Sequence, residues 1–291
     1  MRTLNGSADS FEQIGYVWRM SDEKYTPSPD VRWYFWDGGF LAVGPSRGVI
    51  PTHSHHAVQL VISLDRQARL KHGDEDWQYF DAAMVAADVP HAYDGNGLVG
   101  AMLLIDPETR EGRWLRQSQK LPIQPMHPSR IEYARGLINE FRENPPDAEG
   151  TAAFVSELVK QFGSGIMPSH TLDERVVKAI DMIQDLDTKV ASLEEIAGKV
   201  FLSPSRFAHL FSDEVGIPFR RFLLWRRLTR AMLLVSRGGT LSRAALEAGF
   251  SDAAHFTRTF YQMFGIPPSA MLGQGEMFAI PAPFQLARTE R

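Results

Sequence analysis

Near its C-terminal end the chain repeats itself, and the repeat admits few folds. The segments "RFAHLFSDEVGIP" (206–218) and "HFTRTFYQMFGIP" (255–267) share one frame at an offset of 49 residues. Phe207 matches Phe256, Phe211 matches Phe260, and Gly216-Ile217-Pro218 matches Gly265-Ile266-Pro267. Apolar residues four apart make one face of a helix, and glycine followed shortly by proline ends it. A shorter helical stretch precedes each copy, "SLEEIAGKVFLS" before the first and "LSRAALEAGFSD" before the second. Ser192 and Glu195 open the former with the S-x-x-E spacing of a capping box, which satisfies two orphan backbone N–H groups at once. Short helix, tight turn and second helix, twice over, is a duplicated helix-turn-helix.

The motif accounts for the residue choices around it. One face of each second helix must bury itself against the helix before it. Phe207, Leu210 and Phe211 supply that face in the first copy, and Phe256, Phe260 and Phe264 in the second. The opposite face carries Ser205, Arg206, Ala208 and His209, then Ala254, His255 and Arg258. Small or polar residues with an occasional arginine suit a helix that enters a groove about 12 Å wide and reaches base edges. Between residues 199 and 260, 10 Lys and Arg face 4 Asp and Glu, whereas residues 1–198 hold 19 against 29. The whole chain carries a net charge of −4, so the positive field is local, as expected of a segment that meets an anion.

"GFSDAAHFTRTFYQMFGIPP" resembles the signature of the AraC/XylS family of bacterial transcription regulators. The residues that carry the resemblance are Gly249, Phe250, Asp252, Phe256, Arg258, Phe260, Phe264, Gly265 and Pro268. "WRRLTRAMLLV" (225–235) is similar to the family's long connecting helix, and Ile196, Ala197 and Ser203 match its first half. Ala244, Pro218 and Leu272 depart from the pattern at packing and turn positions. The resemblance covers residues 172–272 and implies a seven-helix domain whose two recognition helices enter successive major grooves. It places Ser205, Arg206, Ala208 and His209, and Ala253, Ala254, His255, Thr257 and Arg258, at the DNA-facing positions. Arg258 stands out, since arginine reading guanine is the commonest specific base contact. The resemblance also implies double-stranded DNA, a small-molecule effector, a homodimer and RNA polymerase as partners.

Up to about residue 120 the punctuation is that of strands. "VRWYFWDGGFLAVGP" reads as a hairpin around Asp37-Gly38-Gly39, and "AVQLVISLD", "WQYFDAAMVAA" and "LVGAMLLID" follow between turn residues. The pattern predicts an antiparallel barrel or sandwich, and the strands resemble a cupin barrel. "HSHHAVQ" is similar to the cupin H-x-H segment with Gln59 where a metal-binding member has Glu, and "DVPHAYDGNG" supplies His91. Strand alternation sends His53, His55 and Gln59 to one side and His56 to the other. Two readings stay open. The three histidines hold a divalent metal (Zn, Mn, Fe or Ni), with Gln59 beside it, or they line the pocket of an organic effector and no metal is required. His72, His127 and His170 are expected at the surface.

The overall expectation is an α+β chain: a cupin-like effector-binding barrel over 1–120, a helical dimerisation and linker region over 121–170, an all-α DNA-binding domain over 171–273, and a tail, 274–291, with no assigned role. Amphipathic helices are predicted in "PSRIEYARGLINEFRE" and "AAFVSELVKQF", and a linker in "GSGIMPSH". No apolar run reaches the roughly 20 residues of a membrane helix, and "MRTLNGSADS" lacks the apolar stretch of an export signal. The chain has no cysteine, which excludes disulfides and thiolate chemistry and fits the cytoplasm. No nucleophile triad, phosphate loop or carboxylate pair is recognisable. A metal-dependent cupin enzyme fused to a DNA-binding domain is the rival to a non-enzymatic regulator.

Overall fold

The computed structural model describes residues 30–46, 48–95, 97–167, 171–185, 192–272 and 275–288. His170 and the N-terminal segment lie outside these residues. The N-terminal part holds two sheets. The larger has the order β10-β7-β4-β9-β2-β1-β11, built from β10 (Ile123–Pro125), β7 (Ala82–Val85), β4 (Val58–Ser63), β9 (Val99–Ile105), β2 (Gly39–Pro45), β1 (Arg32–Trp36) and β11 (Glu276–Ala279). The smaller contains β3 (Val49–His53), β8 (His91–Asp94), β5 (Ala68–His72) and β6 (Gln78–Phe80), in that order. The β1–β2 hairpin turns at Asp37 and Gly38, and Gly38 holds φ +100° beneath the Asp106 carboxylate, where a side chain has no room.

Strand alternation sorts the large sheet cleanly between two cores. Trp33, Phe35, Phe40, Val61, Val85 and Leu104 face one side; Tyr34, Leu41, Val58, Leu60, Ile62 and Leu103 face the other. Every residue of β4 is buried, as befits a central strand covered on both faces. On the second face lie α1 (Arg110–Ser118), α2 (Pro128–Glu143) and α3 (Ala148–Lys160), with Leu115, Ile138, Phe141, Val155 and Leu158 in its core.

The expected closed antiparallel barrel is corrected here: the two sheets do not close on one another. The edges of the large sheet are already taken. β10 pairs with β7, and β11, from the C-terminal tail, pairs with β1 in parallel. The mouth between the sheets is filled instead by helices. Residues 174–272 contain α4 (Glu174–Asp185), α5 (Leu193–Lys199), α6 (Pro204–Val215), α7 (Phe219–Ser236), α8 (Leu241–Glu247), α9 (Ala253–Phe264) and α10 (Pro268–Leu272). Trp225, Leu228, Met232, Phe260, Phe264 and Ile266 join the first sheet core directly. The unit α4–α6 keeps a core of its own around Phe207, Phe211, Phe219 and Phe222.

The predicted linker is partly pinned. The Gly163 backbone packs on the Trp114 ring, and the Ser164 carbonyl accepts the Trp114 indole N–H at 3.0 Å. The tail, to which the sequence assigned nothing, lies in all this architecture, with Ile280, Phe284, Leu286 and Ala287 buried.

Gly265 tests how tightly the helical domain seats on the sheets. It ends α9 at φ +70°, and a β-carbon there would lie 2.8 Å from the Pro51 carbonyl and 3.2 Å from His53 Nδ1. Gly238, at φ +94°, has nothing within 4 Å of the same position. Gly238→Ala should lose about 1 kcal/mol, the left-handed penalty alone. Gly265→Ala should lose at least ~1 kcal/mol more, from the clash. Urea denaturation of the two variants checks this, and equal losses would mean that the interface yields freely.

Candidate functional site

Both recognition helices are set by the same local devices. Ser203 caps α6 by accepting the Arg206 N–H, with Pro204 in the first turn, and Gly216 ends it in the left-handed conformation. Asp252 caps α9 by accepting the His255 N–H at 2.7 Å, and Gly265 ends it. Ser205, Arg206 and His209 are exposed on α6, and Ala208 is half-buried. Arg258 is exposed on α9, while Ala253, Ala254, His255 and Thr257 are half-buried. The His255 ring stands edge-on to Phe250, its Nδ1 3.2 Å from Ser251 Oγ, and the Thr257 hydroxyl donates to the Ala253 carbonyl. The two arginines and His209 therefore have the freest side chains of the predicted set.

The histidines converge, although His55 stands in the turn between β3 and β4, beyond the reach of strand alternation. His53, His55 and His91 are buried, and one ring nitrogen from each falls within 4.8 Å of the others. Their backbones come from β3, from the turn before β4, and from β8, where His53 is the register partner of His91. His53 Nδ1–H donates to the Pro51 carbonyl at 2.8 Å, and His91 Nδ1–H to the Val89 carbonyl at 2.9 Å. Each thereby turns a bare Nε2 inward. Burial, with the neighbouring imidazoles, lowers His53 to about 3 and His91 well below the usual range; burial also lowers His55. All three are neutral, the form that offers a lone pair.

Gln59 completes the cluster, its Oε1 3.0 Å from His55 Nε2 and 3.3 Å from His91 Nε2. The lone pair on His91 Nε2 faces an acceptor oxygen, and Gln59 Nε2 and His55 Nδ1 have no hydrogen-bond partner. Two arrangements relieve this. The carboxamide can turn its NH2 toward the rings, or a cation can sit among three imidazoles and the amide oxygen. Bonds of about 2.0 Å in a tetrahedron put ligand atoms roughly 3.3 Å apart; Gln59 Oε1 meets that spacing with two of the rings, and the three ring nitrogens, within 4.8 Å, have to draw in around an ion. Anchoring Nδ1–H on a carbonyl is how a metal-ligating histidine is usually oriented. The residues fit a divalent cation.

His56, in the same turn, is held by Asp88 and Glu108 instead. His72 is half-buried beside Glu75, and His127 is an exposed N-cap of α2.

A model of the helix-turn-helix domain matches residues 196–274. The probable transcriptional regulator LumQ of Photobacterium leiognathi is 31% identical over 141 residues, 46% of this chain and 55% of LumQ. The arabinose operon regulatory protein of Escherichia coli is 35% identical over 103 residues, 34% of each chain. The chain thus spans between about a third and just over half of these relatives. ToxT from Vibrio cholerae shares its fold, with a TM-score of 0.54 at 14% identity over 84% of this chain and 96% of ToxT.

Residues 196–274 form a helix-turn-helix domain.

The helix α7, between the two helix-turn-helix units, is bolted to the sheets by charges that the sequence patterns did not reveal. Asp106, buried at the end of β9, accepts the Trp225 indole N–H at 2.6 Å and an Arg226 N–H at 2.5 Å. The other arm of Arg226 meets Asp37 at 2.6 Å. Burial pushes the Asp106 carboxyl up to about 7 against the pull of Arg226 and Trp225. Nearby, His56 donates from Nδ1 to Asp88 at 2.7 Å and from Nε2 to Glu108 at 2.8 Å. Burial opposes its charge, but Glu108 and Asp88 outweigh it and raise His56 to about 9. The signal was present: Arg226 falls inside the stripe Phe222-Trp225-Thr229-Leu233, a charge on a face otherwise built for burial.

The same helix reaches the histidines. Trp225 and Phe264 face the His55 ring at 6.3 and 6.0 Å between centroids. One wall of the cluster is therefore the helix-turn-helix domain itself. Asp106→Ala should strip the acceptor from Trp225 and leave Arg226 with Asp37 alone. The expected loss is about 3–5 kcal/mol, the range for breaking a buried pair from one side. Asp37→Ala should lose less, because Asp37 is 39% exposed. Chemical denaturation of both variants measures the difference.

Proposed function

We propose that this protein is a sequence-specific DNA-binding regulator of transcription whose affinity for DNA responds to a small molecule bound in its N-terminal domain. The observation that carries the reading is the pair of recognition helices, each capped and terminated alike, with Arg206, His209 and Arg258 exposed in a locally basic segment. The helix-turn-helix match over residues 196–274 and the similarity to transcription regulators support a regulator over a metal-dependent enzyme. Double-stranded DNA is the partner. Homodimerisation through α2 and α3, contact with RNA polymerase and a cytoplasmic location complete the proposal. None of the described helices is long and apolar enough to cross a membrane.

The effector site that the geometry favours is a narrow cleft of about 40 Å³ between the sheets and the end of the helix-turn-helix domain, which must widen to admit an organic molecule. Trp33, Ile50, Tyr93 and Met102 line it from the sheets, Ile266 and Met271 from the helices. None of the four histidine-cluster residues lines it. ToxT has been crystallised with an unsaturated fatty acid bound; here no lysine or arginine lines the cleft, so a neutral apolar molecule suits it better than a carboxylate.

The histidine cluster has a second, separable role: His53, His55 and His91, with Gln59, hold a divalent cation (Zn, Mn, Fe or Ni), which would supply a fixed charge beside Trp225 and Phe264. The two anchored Nδ1–H groups and the facing lone pairs support this. The residues themselves bind and orient; they have no carboxylate to act as a base.

In vitro selection of duplexes by the full chain, followed by footprinting, tests the main proposal. Two protected sites about one helical turn, roughly 34 Å, apart are expected. Arg258→Ala should weaken binding by about 1–3 kcal/mol and relax preference at one base pair. Uniform protection without a preferred sequence would refute it.

Elemental analysis of the purified chain tests the cation. About one equivalent of metal is expected, lost in the His53→Ala/His91→Ala double variant. Metal-free protein that takes up no added Zn²⁺ or Ni²⁺ would leave the turned carboxamide as the arrangement of Gln59.

A further inference from the structure

The C-terminal tail touches the large sheet, α3, the start of α1 and α4 in turn. β11 adds to β1 in parallel register from Arg32↔Glu276 to Phe35↔Ala279, with Arg32 and Glu276 paired at 3.4 Å and Phe278 stacked on Tyr34 at 5.1 Å. The Ile280 N–H then donates to the Phe35 carbonyl, and Phe284 packs edge-on against Trp36. The Pro283 carbonyl accepts the Ser156 hydroxyl of α3. At the start of α1 the chain bridges Thr109 through Leu286, and the Gln285 carbonyl accepts the Arg110 N–H at 3.0 Å.

Its last turn crosses into the first helix-turn-helix. The Ala287 N–H donates to the Glu108 carbonyl at 2.9 Å, and the Ala287 carbonyl accepts the Leu172 N–H at 2.8 Å. Arg288 pairs with Asp181 of α4 at 2.9 Å. Leu286 and Ala287 enter the core of α4–α6, and among the described residues they alone come from outside 172–223.

The two helix-turn-helix units are therefore held in different ways. The second shares a large core with the sheets, through Phe260, Phe264, Ile266 and Trp225. The first has a separate core, joined to the N-terminal domain through α7, through Arg113 and Arg116 at the carbonyl end of α6, and through the tail. The two arginine contacts are long, at 3.5 and 3.4 Å. Two hydrogen bonds from one residue and two buried side chains make the tail the stronger tie.

We propose that residues 275–288 are an intramolecular clasp that fixes the first helix-turn-helix to the N-terminal domain, and so sets α6 relative to α9 before DNA arrives. The clasp acts by preorganisation: two recognition helices already at fixed spacing lose less freedom on binding than two that move independently. This functional arm rests on the DNA-binding reading; the structural arm does not.

The test compares the full chain with one stopped after residue 274. Hydrogen exchange followed by mass spectrometry should show α4 exchanging at least tenfold faster in the shortened chain, with α9 unchanged. Affinity for a selected duplex carrying both half-sites should fall at least tenfold, and affinity for the α9 half-site alone should hold. Should the shortened chain fail to fold, Leu286→Ser reads the same quantities. The charge variant Arg288→Asp should also speed exchange in α4, and adding Asp181→Arg should restore it. Unchanged exchange in α4, or equal acceleration in α4 and α9, overturns the clasp. So does DNA binding that is unchanged or tighter without the tail. If the full chain selects no duplex, the DNA-binding reading fails, and the exchange data still decide the clasp.

Discussion

A carboxylate at the end of a central strand, Asp106, takes an indole N–H and a guanidinium from the helix that joins two helix-turn-helix units. Burying that charge is unfavourable, and the Arg226 guanidinium and the Trp225 N–H offset it only with the geometry seen here. The arrangement therefore admits little variation in how α7 lies on the sheets. Much else follows from that placement. Gly38 can have no side chain, because the Asp106 carboxylate occupies the space. Trp225 is drawn to the His55 ring, and α7 brings Phe264 with it. Two residues further on, Glu108 holds His56 with its side chain and the tail with its carbonyl. One short stretch after β9 thus organises both domains.

Under the proposed function, effector binding and DNA binding share one interior. In a chain whose domains met only at a polar surface, an effector would have to act through a linker. Here Ile266 and Met271 line the cleft directly after α9, and Gly265 rests on Pro51 and His53. A molecule in the cleft therefore touches both partners of the interface. Its differential affinity for the seated and unseated positions of the helices is what would shift their populations.

Much of this was legible in the residues. The duplicated helix-turn-helix follows from apolar spacing and paired Gly-Ile-Pro stops, and α2 spans the predicted 128–143. Those signals are local, since a capping serine or a left-handed glycine acts within one turn of chain. The convergence of His53, His55 and His91 was half legible. Alternation gives the side of a strand, but β3 and β8 had to pair at His53↔His91 for the rings to meet. α1, β3, β5, β10 and β11 went unread, being short. The open sheets in place of a barrel could not be foreseen, because closure depends on which segment takes an edge. β11 claims it from more than two hundred residues away.

By itself, the sequence determined the parts: two helix-turn-helix units, a strand-rich N-terminal half, a basic segment on an acidic chain, and three histidines able to share one face. Periodicity and end signals are properties of neighbouring residues, and no distant contact can overrule them all. Only the tertiary structure decided that the second unit closes the sheets, that Arg226 lies buried, that the histidines have tryptophan and phenylalanine for a wall, and that the tail is structural. Each of these pairs groups a hundred or more residues apart, or depends on such a pairing. Desolvation and packing choose among such partners only once the whole chain competes for the same interior.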